Sequence, residues 1–341
     1  VINKKFLLDA LKYIFFFGVG VLIFIWVYRG QDLGNIVSDL SRFNFAWIGA
    51  SFITMLFSHL FRALRWRMLI ESIGYKPGLF NTFLSILVMY LANSAVPRLG
   101  EVTRCGILKK YEGVPFTSQL GTVIVERIVD VLFLLVLLSV VLFLNWDVLS
   151  TLVQTGPGTV NGKLAFLRSP LFLSFTGLAI LACAAVFAFR KRLMKLPFVV
   201  KLMNYAGKFA EGLKSVFRLK QPFLFVLWTI AIYGCYYLST LFVFKAFAPT
   251  ASLSPLVTLS VLALGSIGMI FPIPNGIGPF DWFALNTLLL YNVAKPDGQL
   301  VTLVLHGSTT LFVIVIGAVA LGILPIVNKG KKQPVTNDTV F

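Results

Sequence analysis

The chain has 341 residues, 58% hydrophobic and only 13% charged, where a soluble domain carries about 25% charge. With 33 phenylalanines and a mean hydropathy of +0.88, a soluble fold is excluded, and roughly 20 residues per span allow about six to nine crossings of a bilayer. The formal charge of +17, from 30 Lys and Arg against 13 Asp and Glu, then reads as basic loops held beside anionic headgroups in the cytoplasm rather than as a nucleic-acid surface. Cys105, Cys183 and Cys235 lack metal-ligand spacing.

Lys4 and Lys5 precede an apolar run from Tyr13 to Tyr28, and no small-residue cleavage site follows it. This predicts a retained first helix with its N-terminus inside, and an external loop that completes region 1–43. Further apolar segments run through 44–61, 79–96, 120–145, 170–189, 222–247, 255–271, 280–293 and 300–327. Basic residues fall between them in three groups: Arg62, Arg65, Arg67 and Lys76; nine from Arg190 to Lys220; and Lys329, Lys331 and Lys332. Positive-inside weighting puts all three groups in the cytoplasm.

Parity then requires one of the three segments between Arg67 and Arg190 to enter and leave by the same face. The best candidate is 79–110, interrupted by Pro97 and Gly100, because broken backbone at membrane depth is tolerated only where protein or water covers it. Segments 255–271 and 280–293 flank a second break, Pro272 to Pro279, and suggest a second hairpin from the outside. Two full crossings, which leave the same ends inside, are the alternative. Two discontinuous segments in corresponding places of two halves point to inverted repeats around a midplane site. The predicted fold is therefore a single all-α integral membrane domain, 1–341, with about six full crossings plus two re-entrant hairpins. It divides into a first repeat at 44–146, a linking region at 170–220, a second repeat at 222–327 and a cytoplasmic tail at 328–341. Within the linking region 170–189 reads as a plain span, and apolar positions every three to four residues through 198–220 read as an amphipathic cytoplasmic helix.

Charge inside a bilayer must be paired or reach water, and here it gathers at the breaks. Asn93, Arg98, Gly100, Glu101 and Arg104 form one group, Glu126, Arg127 and Asp130 a second, and Asn275, Gly276, Gly278 and Asp281 a third. Thr122, Glu126 and Asp130 are spaced at four and share one helix face. Arginines suit bidentate phosphate binding, and glycines before helix starts let an anion approach exposed N–H groups. The same residues also fit a structural role, with Glu101 and Asp281 capping helices and Glu126 and Asp130 neutralising Arg98 and Arg127. His59 and His306 read as packing residues.

At these residues the chain resembles the transmembrane domain of the lysylphosphatidylglycerol synthase family, a flippase-like integral membrane family, over roughly residues 10 to 325. The resemblance rests on Asn93 through Pro97-Arg98-Leu99-Gly100-Glu101 to Arg104, on Glu126-Arg127 with Asp130, and on Pro272-Ile273-Pro274-Asn275-Gly276-Ile277-Gly278. The resemblance implies a lipid flippase. With the inverted halves and charged breaks, the expected function is a flippase-like transporter moving an anionic phospholipid or polyprenyl-linked lipid between leaflets of a bacterial inner membrane, and the basic groups put both termini in the cytoplasm. The family usually has Gly where Asn275 stands and Glu where Asp281 stands. Only residues 328–341 follow the last predicted helix, so lysylphosphatidylglycerol synthesis is not expected of this chain. The competing reading is a membrane-embedded lipid-linked glycosyl or phosphoryl transferase, or its subunit. No cofactor or metal motif appears and nucleic acid is not expected as a partner; a homo-oligomer and a separate enzyme subunit stay open.

Overall fold

The computed structural model describes residues 18, 21–28, 39–144 and 218–329. The predicted span at 170–189, the amphipathic helix up to residue 217 and most of the tail lie outside the described residues.

Eight helices organise the described chain: α1 Phe45–Ser72, α2 Leu79–Ala95, α3 Leu99–Glu112, α4 Phe116–Leu144, α5 Pro222–Ala246, α6 Pro255–Gly268, α7 Pro279–Leu290 and α8 Lys295–Val327. Ala248–Ala251 and Pro274–Gly276 add single helical turns. Of these, α1, α4, α5 and α8 are long and apolar enough to cross a membrane, so the protein is all-α and polytopic. The boundaries follow local chemistry. Asn44 accepts the amide of Ala46 and opens α1, while proline in the first turn opens α5, α6 and α7. Gly113, in the left-handed region at φ 67°, closes α3.

One boundary corrects the sequence reading. Hydropathy stops the second apolar segment at residue 61, but α1 runs on to Ser72, so Arg62, Arg65 and Arg67 belong to a helix rather than a basic loop. Arginine is a good helix former, and the acids that neutralise Arg62 and Arg65 come from α4. Lys76 is the member of that group that stands in the connection to α2.

The helices α2 and α3 form a closed hairpin. At its base the Gly78 amide donates to the Glu112 carboxylate at 2.9 Å, and the Asn81 side chain bonds the same carboxylate. At its tip Gly100 packs so tightly that a Cβ there would stand 2.1 Å from the Met89 carbonyl oxygen. The helices α6 and α7 form a second hairpin. Ser260 and Tyr291 hydroxyls meet at 2.9 Å near the base, and near the tip a Cβ on Gly268 would lie 2.5 Å from the Phe280 nitrogen. Arms of 17, 14, 14 and 12 residues reach about 26, 21, 21 and 18 Å at 1.5 Å per residue. Each is shorter than the roughly 30 Å hydrocarbon core.

The two bases adjoin opposite ends of α8. Asn81, at the first base, exchanges 2.9 Å amide bonds in both directions with Asn328 at the C-terminal end of α8. Val293 and Leu300, around the N-terminal end of α8, share a core with Val257 and Leu288 of the second hairpin and with Phe43 and Phe247. Those two phenylalanines stack at 4.6 Å. The tips meet in between, where the Asn275 amide donates to the Ser94 hydroxyl at 2.8 Å.

The described part of the first apolar run, residues 21–28, is helical up to residue 27. It packs Val27 and Tyr28 against Leu285 of α7, and the Gln299 side chain of α8 donates to the Val27 carbonyl.

Candidate functional site

Glu126 lies one third of the way along α4, fully buried, and gathers four guanidinium groups. Its Oε1 accepts from Arg62 at 2.6 Å, Arg65 at 3.1 Å and Arg127 at 3.2 Å. Its Oε2 accepts from Arg104 at 2.8 Å. Asp130, one turn on, accepts from Arg62 at 3.0 Å and Arg65 at 2.7 Å. Periodicity explains the assembly: Thr122, Glu126 and Asp130 face α1, where Trp66 donates to the Thr122 hydroxyl at 3.0 Å and Arg62 and Arg65 follow on the same stripe.

Neighbours add further contacts. Arg62 donates to the Tyr236 hydroxyl at 3.3 Å and Arg65 to the Thr229 hydroxyl at 3.3 Å. Tyr236 in turn meets the Tyr90 hydroxyl at 3.1 Å. Arg104 lays its guanidinium over the Trp66 ring at 4.3 Å, a contact that strengthens when water is excluded. Desolvating this many charges is costly, and the arrangement persists because every buried carboxylate oxygen of Glu126 meets a guanidinium.

The cluster is not sealed. Arg127 leaves 42% of its side chain exposed, and its Nη1 stands 4.0 Å from Glu101 of α3, which is 19% exposed. Glu101 keeps one oxygen without a hydrogen-bond partner among the described residues. Four arginines face three carboxylates, Glu101, Glu126 and Asp130, so the group carries one surplus positive charge. Arg98 is exposed at the head of α3 in the left-handed region, φ 64°, and makes no ion pair among the described residues.

The expected site residues therefore divide. Glu101, Arg104, Glu126, Arg127 and Asp130 come together. Asn93 instead holds the first tip, accepting the Gly100 amide at 2.7 Å. The expectation that Glu126 and Asp130 neutralise Arg98 is corrected, because Arg62, Arg65 and Arg104 fill that role alongside Arg127. Sequence reasoning missed Arg62 and Arg65 by counting them as loop charge. Their spacing of three, next to Trp66, was the available signal, since it matches the stripe on α4.

Around the second break, Asn275, Gly276 and Gly278 all take positive φ, at 49°, 69° and 92°. Asp281 is buried and accepts the Gly278 amide at 2.9 Å, which is the capping role expected of it. It also accepts from Tyr28 at 2.9 Å and meets Nδ1 of His306 at 3.1 Å. His306 is thus hydrogen-bonded to a buried carboxyl group, which corrects its reading as packing. His59 is fully buried and lies against the Tyr90 ring at 4.3 Å. Among the described residues no group of three His, Cys, Asp or Glu side chains is placed to hold a metal.

Fold and site define a polytopic helical membrane protein with a charged cluster beside two helical hairpins that meet at their tips. The chain belongs to the family described as the lysylphosphatidylglycerol synthase TM region, whose sequence profile matches residues 12–317. It is similar to the UPF0104 membrane protein MJ1595 of Methanocaldococcus jannaschii, 23% identical over 339 residues, covering 95% of this chain and 96% of that protein. It is also similar to the glycosyltransferase AglD of Haloferax volcanii, 22% identical over 316 residues, covering 84% of this chain and 50% of that protein. This chain spans half the length of AglD. The four long apolar helices and the family support a multi-pass membrane protein, and the relatives, both archaeal, give no ground for the bacterial host expected from the sequence. No solved structure matches.

Proposed function

We propose that the protein is a flippase-like transporter that moves an anionic phospholipid or a polyprenyl-linked lipid between leaflets. The observation that carries this reading is the half-exposed Arg127, backed by a buried cluster with surplus positive charge and flanked by Glu101 at the tip of a broken segment. Intramembrane charge of this kind marks a substrate path more often than a scaffold. In this reading the two hairpins are re-entrant from opposite faces and belong to inverted repeats, with about six full crossings and both termini cytoplasmic. Arg127 and Arg98 would hold the phosphate, while Asn275, Gly276 and Gly278 line the approach from the other side.

Reconstitution into liposomes with labelled phosphatidylglycerol or a labelled polyprenyl phosphate tests the proposal. The purified protein should move at least one of them faster than its Arg127→Ala and Arg98→Ala variants. Equal rates for both lipids would overturn it.

A second reading is favoured by the likeness to AglD, half of which this chain spans. There the chain serves a lipid-linked glycosyl or phosphoryl transfer, as an embedded enzyme or as the membrane subunit of a separate one. Sugar or phosphoryl transfer from polyprenyl-linked donors by the purified protein, with divalent metal added, would support it. Inactivity across such donors would remove the embedded enzyme.

A further inference from the structure

The Asp281–His306 pair is not used by the lipid reading, and its hydrogen bonds restrict its protonation. Nε2 of His306 lies 3.0 Å from the Asn275 carbonyl oxygen, which can only accept, so Nε2 carries a proton. Nδ1 lies 3.1 Å from both oxygens of Asp281. A bond there needs a second proton, held on Nδ1 as imidazolium with carboxylate, or on the acid with neutral imidazole. Either state is neutral overall. Removing that proton to water leaves one imidazole N–H for two acceptors, so His306 must release either the Asp281 carboxylate or the Asn275 carbonyl.

The consequence of losing the proton is mechanical. His306 holds the backbone of Asn275, whose φ of 49° is unusual for a residue with a side chain, and whose amide holds Ser94 on the other hairpin. Asp281 keeps the Gly278 amide and the Tyr28 hydroxyl as donors, so deprotonation frees the histidine side rather than the helix cap. The groups around the pair are few. From residues 21–28 comes the Tyr28 hydroxyl, from the 3-10 turn Pro274–Gly276 the Asn275 carbonyl, and from α7 the Phe280 ring at 4.6 Å from the imidazole. Among the described residues no other charged side chain contacts it.

We infer that Asp281 and His306 form a proton-binding latch: with the shared proton bound, the tip of the second hairpin is held against the first, and its loss to solvent releases the tip. This goes beyond the lipid reading and does not rest on it, so the test needs no lipid substrate.

Full-length protein in detergent, labelled with 5-fluorotryptophan, reports the change by fluorine NMR. Trp282 follows Asp281 in α7 and packs with Tyr28 and Leu285; its resonance among the six tryptophans is assigned by Trp282→Phe. Between roughly pH 5 and 8, where an imidazole changes charge, that resonance should shift or split in the wild type and stay constant in His306→Gln. A pH-independent wild-type resonance, or an equal response in His306→Gln, overturns the latch. Should the variant fail to fold, hydrogen exchange of 271–279 in the wild type decides, after correction for intrinsic rates. Protection should fall about tenfold or more as the proton leaves, and constant protection overturns the proposal.

Discussion

The side-chain amide of Asn275 donates to the hydroxyl of Ser94 at 2.8 Å, and this bond joins the tips of two hairpins whose bases adjoin opposite ends of α8. Each arm is shorter than the roughly 30 Å thickness of a hydrocarbon core. The meeting point therefore lies between the two ends of α8.

This arrangement makes a topological prediction. Single cysteines at Lys76 and Lys110, both exposed near the first base, should react with an impermeant maleimide from one face of sealed vesicles. Cysteines at Ser252 and Lys295, exposed near the second base, should react from the other. Labelling of Lys76 and Lys110 from opposite faces would mean that α2 and α3 cross in full, and the re-entrant reading would fail.

Glu126→Gln should be the most damaging single change in the charged cluster. It removes the carboxylate that meets four arginines, three of them buried, and breaking a buried pair typically costs about 3–5 kcal/mol. Asp130→Asn should cost less, because its side chain is 13% exposed and all three arginines it meets retain Glu126. Thermal unfolding in detergent checks the order. An equal or smaller loss for Glu126→Gln would contradict it.

Arg127→Ala separates transport from folding. With 42% of the side chain exposed, the variant should keep a melting temperature close to the wild type. A charged hydrogen bond to a phosphate is worth about 1.5–3 kcal/mol, so lipid movement should fall roughly ten- to a hundredfold. Unchanged movement with unchanged stability would remove Arg127 from the substrate path.

Two glycines on α3 should respond oppositely to alanine. At Gly100 a Cβ would land 2.1 Å from the Met89 carbonyl and 2.8 Å from the Asn93 side chain. Overpacking of this kind commonly costs about 1–3 kcal/mol, and here it also threatens the bond that holds the tip. At Gly106 nothing lies within 4 Å, and replacing a helical glycine should gain up to about 1 kcal/mol. Paired denaturation curves decide, and a neutral Gly100→Ala would show that the arms can separate without cost.

Much of the architecture was legible because its causes are local. The Pro97–Gly100 and Pro272–Pro279 breaks interrupt helices wherever they stand, and the spacing of Thr122, Glu126 and Asp130 defines a helix face before any partner is known. The partners were not legible. Arg62 and Arg65 look like loop charge beside an apolar run, because hydropathy registers their transfer cost and is blind to the carboxylates 61 to 68 positions away that offset it. His306 looked solitary for the same reason, since Asp281 lies 25 positions earlier.

Composition alone determined that this chain lives in a membrane, since 58% hydrophobic residues leave no soluble alternative. Local pattern determined where its helices break and which face of α4 is charged, because both depend on residues within a few positions of each other. Tertiary structure decided which charges neutralise one another, which end of α8 each hairpin base adjoins, and that the two tips touch. Those outcomes depend on contacts across 181 residues for Asn275 and Ser94 and 247 for Asn81 and Asn328. Only packing of the whole bundle brings such pairs within hydrogen-bonding distance, and in an apolar surrounding an unpaired charge or amide is too costly to leave to chance.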